Sequence, residues 1–340
     1  MKTIILFIPV IFLSFVCKAQ SDEQISTEIN WLTIEEAVKL QEESPRTILI
    51  DMYTDWCGWC KKLDTETFSN PAIAAYINAN FYPVKFNAER TDTVVYRGNT
   101  YVNANTGRRS SHQLAQQLMG GRMSYPTIVY IDPDFKANPV PGYVDVKAIE
   151  PILVYFAEKV YKSSDFSQFS QDFKNTFSPD STSKIKGNIN WLEFNETLKL
   201  TEEKPKKVLI YVNSDYNNSS KIMLGSTYKH PVIADNINED FYPVKFNFDS
   251  QDTIYLQGNP FINEQKTPGY PHQFAIAVLQ PEITLPSTIF MDEELKVIFV
   301  LRGYYSPQTL ERFIEFIGDD MYKNGTDWQE YNKNFKSKLE

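Results

Sequence analysis

Two cysteines, Cys57 and Cys60, stand two residues apart in TDWCGWCKK, residues 54–62. Thiols at that spacing can pair with each other or with a partner, and the thiolate is the form that attacks disulfides or binds metals. The same stretch returns 160 positions later as SDYNNSSKI, with Asn217 and Ser220 where the sulfurs were. Zinc is a poor fit. Structural zinc takes four ligands, there is no second cysteine pair, and the only histidines are His112, His230 and His272.

A third cysteine, Cys17, falls in MKTIILFIPVIFLSFVCKAQ. A lysine, an apolar run and a small-residue site at Cys17 and Ala19 read as a secretory signal peptide, residues 1–19, cut after Ala19. The apolar run is too short to span a bilayer as a helix, and no later stretch is long enough. Bulky Phe15 and Val16 fit lipid attachment at Cys17 poorly. Cleavage leaves Cys57 and Cys60 as the only thiols, so no framework of structural disulfides is expected. The chain has 340 residues and a net charge of −9. That length holds two domains with full cores, and that charge argues against nucleic acid as a partner.

The elements that must hold the cysteines occur twice. NWLTIEEAVKLQEESPRTILI starts at Asn30 and NWLEFNETLKLTEEKPKKVLI at Asn190, while FYPVKFN starts at Phe81 and again at Phe241. The copies run without a gap for about a hundred residues, too long for a solenoid unit, which makes a tandem domain repeat. The expected division is residues 20–176, a linker FSPDSTSKIKGN at 177–188, and residues 189–340. Within each copy an amphipathic helix (about Thr33 to Glu43) precedes a buried strand, RTILIDMYT, and the cysteine motif opens the next helix. SNP at Ser69–Pro71 opens another. The strand YPVKFNAE follows, then a hairpin turning at Gly98-Asn99, a helix SSHQLAQQLMG, a strand from Pro126, a further strand and a long closing helix. Alternating helices and apolar strands imply α/β architecture, a mixed central β-sheet flanked by helices in each copy.

ILIDMYTDWCGWCKK and SYPTIVYID together resemble the thioredoxin superfamily. More closely, DWCGWCKKLDTETFSNPAIAAYINANFYPVKFNAE is similar to exported thioredoxin-related proteins of Bacteroidetes-type bacteria and to the periplasmic C-terminal domain of membrane thiol-disulfide interchange proteins. The resemblance covers the first copy and implies two tandem thioredoxin-like folds, the second without the cysteine pair.

It also implies roles. Cys57 is expected at a helix N-terminus, where dipole and free N–H groups favour the thiolate that attacks a client disulfide. Cys60, one turn on, resolves the mixed disulfide. Asp51 stands at the family's buried acid and would take the proton of Cys60. Lys85 matches a nearby lysine but persists as Lys245, which makes it supporting. Pro126 should follow a cis bond from Tyr125 and face the cysteines, where partner backbone can add as a strand. Trp56, Gly58 and Trp59 shape the site. Asp51, Trp56, Cys57, Gly58, Trp59 and Cys60 are all lost from the second copy, as Tyr211, Tyr216, Asn217, Asn218, Ser219 and Ser220. His112 recurs as His272 in a copy with no nucleophile and reads as a helix start; Arg108 and Arg109 read as a solvated turn. A peroxidase of the peroxiredoxin type is disfavoured because Ile50 stands where that family needs proline. The expected function is therefore an exported thiol-disulfide oxidoreductase of the periplasm or envelope of a Gram-negative bacterium. No histidine lies between the cysteines, which favours a reductase. No cofactor is expected beyond the cysteine pair itself. The implied partners are protein disulfide clients and an upstream membrane or periplasmic electron donor. A disulfide oxidase or isomerase, and a non-catalytic envelope adaptor, are the alternatives.

Overall fold

The computed structural model describes residues 28–104, 107, 109–177, 187–265 and 267–339. The signal-peptide stretch with Cys17 lies outside the described residues, as do residues 178–186 of the expected linker.

The first copy contains α1 (Ile34–Glu43), β1 (Ile48–Tyr53), α2 (Gly58–Lys62), α3 (Pro71–Asn80), β2 (Tyr82–Asn87), β3 (Val94–Tyr96), β4 (Asn99–Tyr101), α4 (Gln113–Leu118), β5 (Thr127–Ile131), β6 (Ala137–Pro141), α5 (Val146–Ala157) and α6 (Phe166–Phe177). Local chemistry sets the boundaries. Thr33 caps α1 in a reciprocal box with Glu36. Asn70 accepts the N–H groups of Ala72 and Ile73 ahead of Pro71. The hairpin turns one residue earlier than the sequence suggests: Arg97 and Gly98 connect β3 to β4, with φ of 50° and 74°. A two-residue hairpin with positive φ at both positions follows the twist of its strands, and Asn99 is thereby the first residue of β4.

The sheet has the order β2-β1-β5-β6, with β1 parallel to β2 and antiparallel to β5. Alternation along β1 divides it between two cores. Ile48, Ile50 and Met52 join Ile34, Val84 and Leu114 on one face. Leu49 joins Leu63, Ile73, Ile128 and Leu153 on the other. Asp51 shares Leu49's side of the strand, so a carboxyl points into an apolar layer.

The second copy contains α7 (Phe194–Glu203), β7 (Lys207–Asn213), α8 (Asn218–Gly225), α9 (Pro231–Asp240), β8 (Phe241–Asn247), β9 (Ile254–Leu256), β10 (Asn259–Phe261), α10 (Gln273–Leu279), β11 (Ser287–Met291), β12 (Val297–Arg302), α11 (Pro307–Gly318) and α12 (Trp328–Asn334). Its sheet repeats the first as β12-β11-β7-β8. An irregularity at Phe290/Met291 adds one residue, so beyond it Gly303, bonded to Pro286 O, matches Gly142, bonded to Pro126 O.

The halves are not separate bodies on a flexible tether. Helix α6, absent from the sequence reading, begins within its first-domain range, ends on the first residue of its expected linker, and lies against α8. Phe169 is fully buried and stacks edge-on to Tyr304, whose hydroxyl donates to Asp172. Val154, Val160 and Phe169 share one core with Leu209, Tyr211, Met223 and Tyr304. At the rim Lys159 and Lys162 each lie 3.5 Å from Glu282.

Candidate active site

The cysteines sit where β1 hands over to α2. Cys57 is the N-cap of α2, and its Sγ accepts the backbone N–H of Cys60 at 3.0 Å. The pair is joined as a disulfide, and both residues are almost wholly buried. Around them is an aromatic collar. Trp56 and Trp59 are about half exposed, at 49% and 57%. Trp56 Nε1 donates to the carboxylate of Glu89 at 3.0 Å, and its ring meets Tyr125 edge-on. Trp59 leans on Tyr143, with the Lys62 ammonium 5.1 Å from both rings. Tyr125–Pro126 is a cis peptide, as expected, and β5 begins at the next residue. A side chain at Gly58 would meet open space, so glycine is not sterically required there.

Asp51 is fully buried, and Lys85, its cross-strand neighbour in the parallel pair, brings Nζ to 3.3 Å of Oδ2. Lys85 also binds Asp64 and lies over the rings of Trp31 and Tyr53. Burial raises the Asp51 carboxyl to about 6, against the opposing pull of Lys85. Burial works against the charge of Lys85, but Asp51 and Asp64 outweigh it and hold its pKa above the ordinary lysine value. A cleft lined by Trp31, Asp64, Phe68 and Lys85 joins this ion cluster to solvent. Asp64, unremarked in the sequence, completes the cluster from the turn following α2.

His112 is buried at the start of α4: Nδ1 accepts the N–H of Leu114, and His272 does the same for Phe274. Arg109 does not simply point to water. Its guanidinium lies 4.3 Å from the Trp56 ring centroid. Among the described residues no group of acidic, histidine or cysteine side chains is gathered for a metal, and no helix is long and apolar enough to cross a membrane.

In the second copy the same framework is filled differently. Asn217 caps α8 and accepts both the N–H and the hydroxyl of Ser220. Tyr211, in the place of Asp51, donates its hydroxyl to Ser220 O at 2.9 Å. By the repeat, Asp51 stands at the position from which Tyr211 reaches the turn that corresponds to that of Cys60. The first turn of α8 is occupied from outside: Glu158, just past α5, accepts the N–H groups of Asn218 at 3.0 Å and Ser219 at 2.7 Å. The helix start that holds the Cys57 sulfur in one copy holds a neighbour's carboxylate in the other. Sequence reading missed Glu158 and Asp172; phenylalanines at 166, 169, 173 and 177 were the available sign of an amphipathic α6.

A mixed sheet, a disulfide at a strand-to-helix turn and a cis-proline beside it define a thioredoxin-class fold. A family model described as a thioredoxin-like domain matches residues 34–157. An uncharacterized protein of Archaeoglobus fulgidus is 30% identical over 95 residues, covering 28% of this chain and 74% of that one. The thiol:disulfide interchange protein DsbD of Photorhabdus laumondii is 25% identical over 119 residues, covering 34% of this chain and 17% of that protein. The chain thus spans less than a fifth of the length of that relative. Among solved structures, a putative disulphide-isomerase from Bacteroides thetaiotaomicron is similar at 23% identity and a TM-score of 0.28, covering 41% of this chain and 97% of that one. Residues 34–157 of the chain thus belong to the thioredoxin superfamily.

Proposed function

We propose that this protein is an exported thiol-disulfide oxidoreductase that reduces protein disulfides through its first domain. The observation that carries the reading is the disulfide at the start of α2, with Cys57 Sγ held by the Cys60 N–H. In the dithiol form that N–H would stabilise a Cys57 thiolate. The thiolate attacks one sulfur of a client disulfide; a mixed disulfide forms and the other client sulfur leaves as thiolate. Cys60 then attacks Cys57 Sγ, closing the 57–60 disulfide and releasing the second client thiolate. Two electrons pass to the client, and an upstream donor of two electrons restores the dithiol.

Asp51 is the base for Cys60. Its carboxyl, raised to about 6, is mostly ionised at neutral pH yet basic enough to take a thiol proton. Lys85 and Asp64 offer that proton a way out through their solvent cleft. Trp56, Trp59, Tyr125 and Pro126 form the client surface.

The second domain, with Asn217 and Ser220 in place of sulfur, is redox-silent. Glu158 already occupies its helix start, which leaves the proline corner, lined by Ser214, Tyr216, Asn217, Phe248 and Leu285, as the part open to a client.

Equilibration of the pair against glutathione tests direction. A reductase gives a potential below about −200 mV, whereas a value near −120 mV marks an oxidase.

A further inference from the structure

The loop before α4 carries one residue that the sulfur chemistry does not need. Arg109 adopts a left-handed backbone, φ 63°, and its counterpart Gly269 does so at 79°. One anchor recurs in both copies, Asn103 Nδ2 to Ser110 O and Asn263 Nδ2 to Tyr270 O, each at 2.8 Å. Both copies hold this position in the left-handed region, and glycine is the residue that takes it without strain. The copy with cysteines nonetheless keeps an arginine, at a backbone cost of about 1 kcal/mol.

What the side chain does is visible beside it. It stacks on Trp56, whose Nε1 is fixed by Glu89. In the second copy this trio becomes Tyr216, Asp249 and Gly269, and Asp249 accepts the N–H of Gly269 at 2.7 Å instead. Arginine, tryptophan and glutamate thus accompany the sulfurs and change with them. Stacking engages the flat face of a guanidinium and leaves its N–H edge free for a carboxylate. Arg109 is exposed at the edge of the collar, over the Trp56 ring.

We infer that Arg109 is a specificity-determining residue of the redox site, selecting client disulfides that carry an acidic side chain beside the attacked cysteine. This rests on the reductase reading above. The indole of Trp56 orients the guanidinium, and Glu89 holds the indole. Asp55, exposed next to Trp56, has the opposite sign and limits the preference to a modest factor.

The test uses the reduced mature protein and three disulfide-bridged peptides, identical except for Asp, Ser or Lys after the attacked cysteine. The uncharged 2-hydroxyethyl disulfide serves as reference. The wild-type rate constant for the Asp peptide should exceed that for the Lys peptide by about three- to tenfold, the range of an exposed but oriented ion pair. In Arg109→Gly, which fits the left-handed backbone, that ratio should fall to one or below, with Asp55 unopposed; in Arg109→Glu it should fall further. An Asp-to-Lys ratio that is one in the wild type, or the same in wild type and Arg109→Gly, overturns the inference. Failure to reduce even 2-hydroxyethyl disulfide would instead bring down the reductase reading beneath it.

Discussion

At the residue scale the proposed chemistry depends on one buried carboxyl. Asp51 titrates at about 6 in the folded chain against 3.8 for an ordinary aspartate, so folding disfavours its ionised form. Its contribution to stability is complete below about pH 4 and is lost as pH rises through about 6. Asp51→Asn should therefore be more stable than wild type at pH 7.5, by about 2–3 kcal/mol, and equal to it near pH 4. Urea midpoints at the two pH values check this. The same substitution should slow release of the client from the mixed disulfide about a hundredfold, the lower end of what general bases contribute, while initial attack by Cys57 changes little. Equal slowing of both half-reactions would leave Asp51 a packing role. Asp51 and Lys85 were singled out through the resemblance to the family, with Asp51 among the apolar neighbours of one strand and Lys85 in the FYPVKFN repeat that marks the next. Asp64 and Arg109 were not: each acts through a side-chain approach that strand or helix periodicity does not encode.

At the element scale, two equivalent helix starts serve opposite ends. The first turn of α2 carries a sulfur; that of α8 is capped by Glu158 across 60 positions of chain. A carboxylate on helix N–H groups is stabilising, and removing it leaves two donors in the interface without their acceptor. Glu158→Ala should cost about 1–3 kcal/mol, and Glu158→Gln, which keeps an acceptor, less. Chemical denaturation of the oxidised protein measures both. If neither variant shifts the midpoint, the contact is incidental. The regular elements were readable from caps and periodicity: Thr33 with Glu36, Asn70 with Pro71, and the apolar run of β1. The hairpin turn was placed one residue late because Gly98 drew attention from Arg97, a non-glycine residue with φ of 50°. Helix α6 escaped because its meaning lies in a partner, Tyr304, 132 positions from Asp172.

At the scale of the whole molecule, the Trp59 side of the cysteine site is open in the first domain, and the equivalent side of the second is covered while its Tyr216 stays exposed. Tyr143 stands beside Trp59 near the surface, while Tyr304, its counterpart, is buried under α6. A core shared across the halves makes them one cooperative unit, so fluorescence and circular dichroism should report a single unfolding transition. Phe169→Ala, which empties that shared core, should cost about 3–5 kcal/mol. A fragment of residues 20–176 would expose Val160 and Phe169, and it should be less stable than the same residues in the full chain. Two resolved transitions, with the first unaffected by Phe169→Ala, would restore the picture of independent domains. The duplication itself was legible in the repeats; the way the halves lock was not, since neither copy contains the whole interface. The central claim remains the order of attack at the start of α2. Non-reducing gels of Cys60→Ser and Cys57→Ser, each expressed with its natural partners, test it most directly. Cys60→Ser should accumulate mixed disulfides through Cys57 and Cys57→Ser should not; adducts in Cys57→Ser alone would contradict the account.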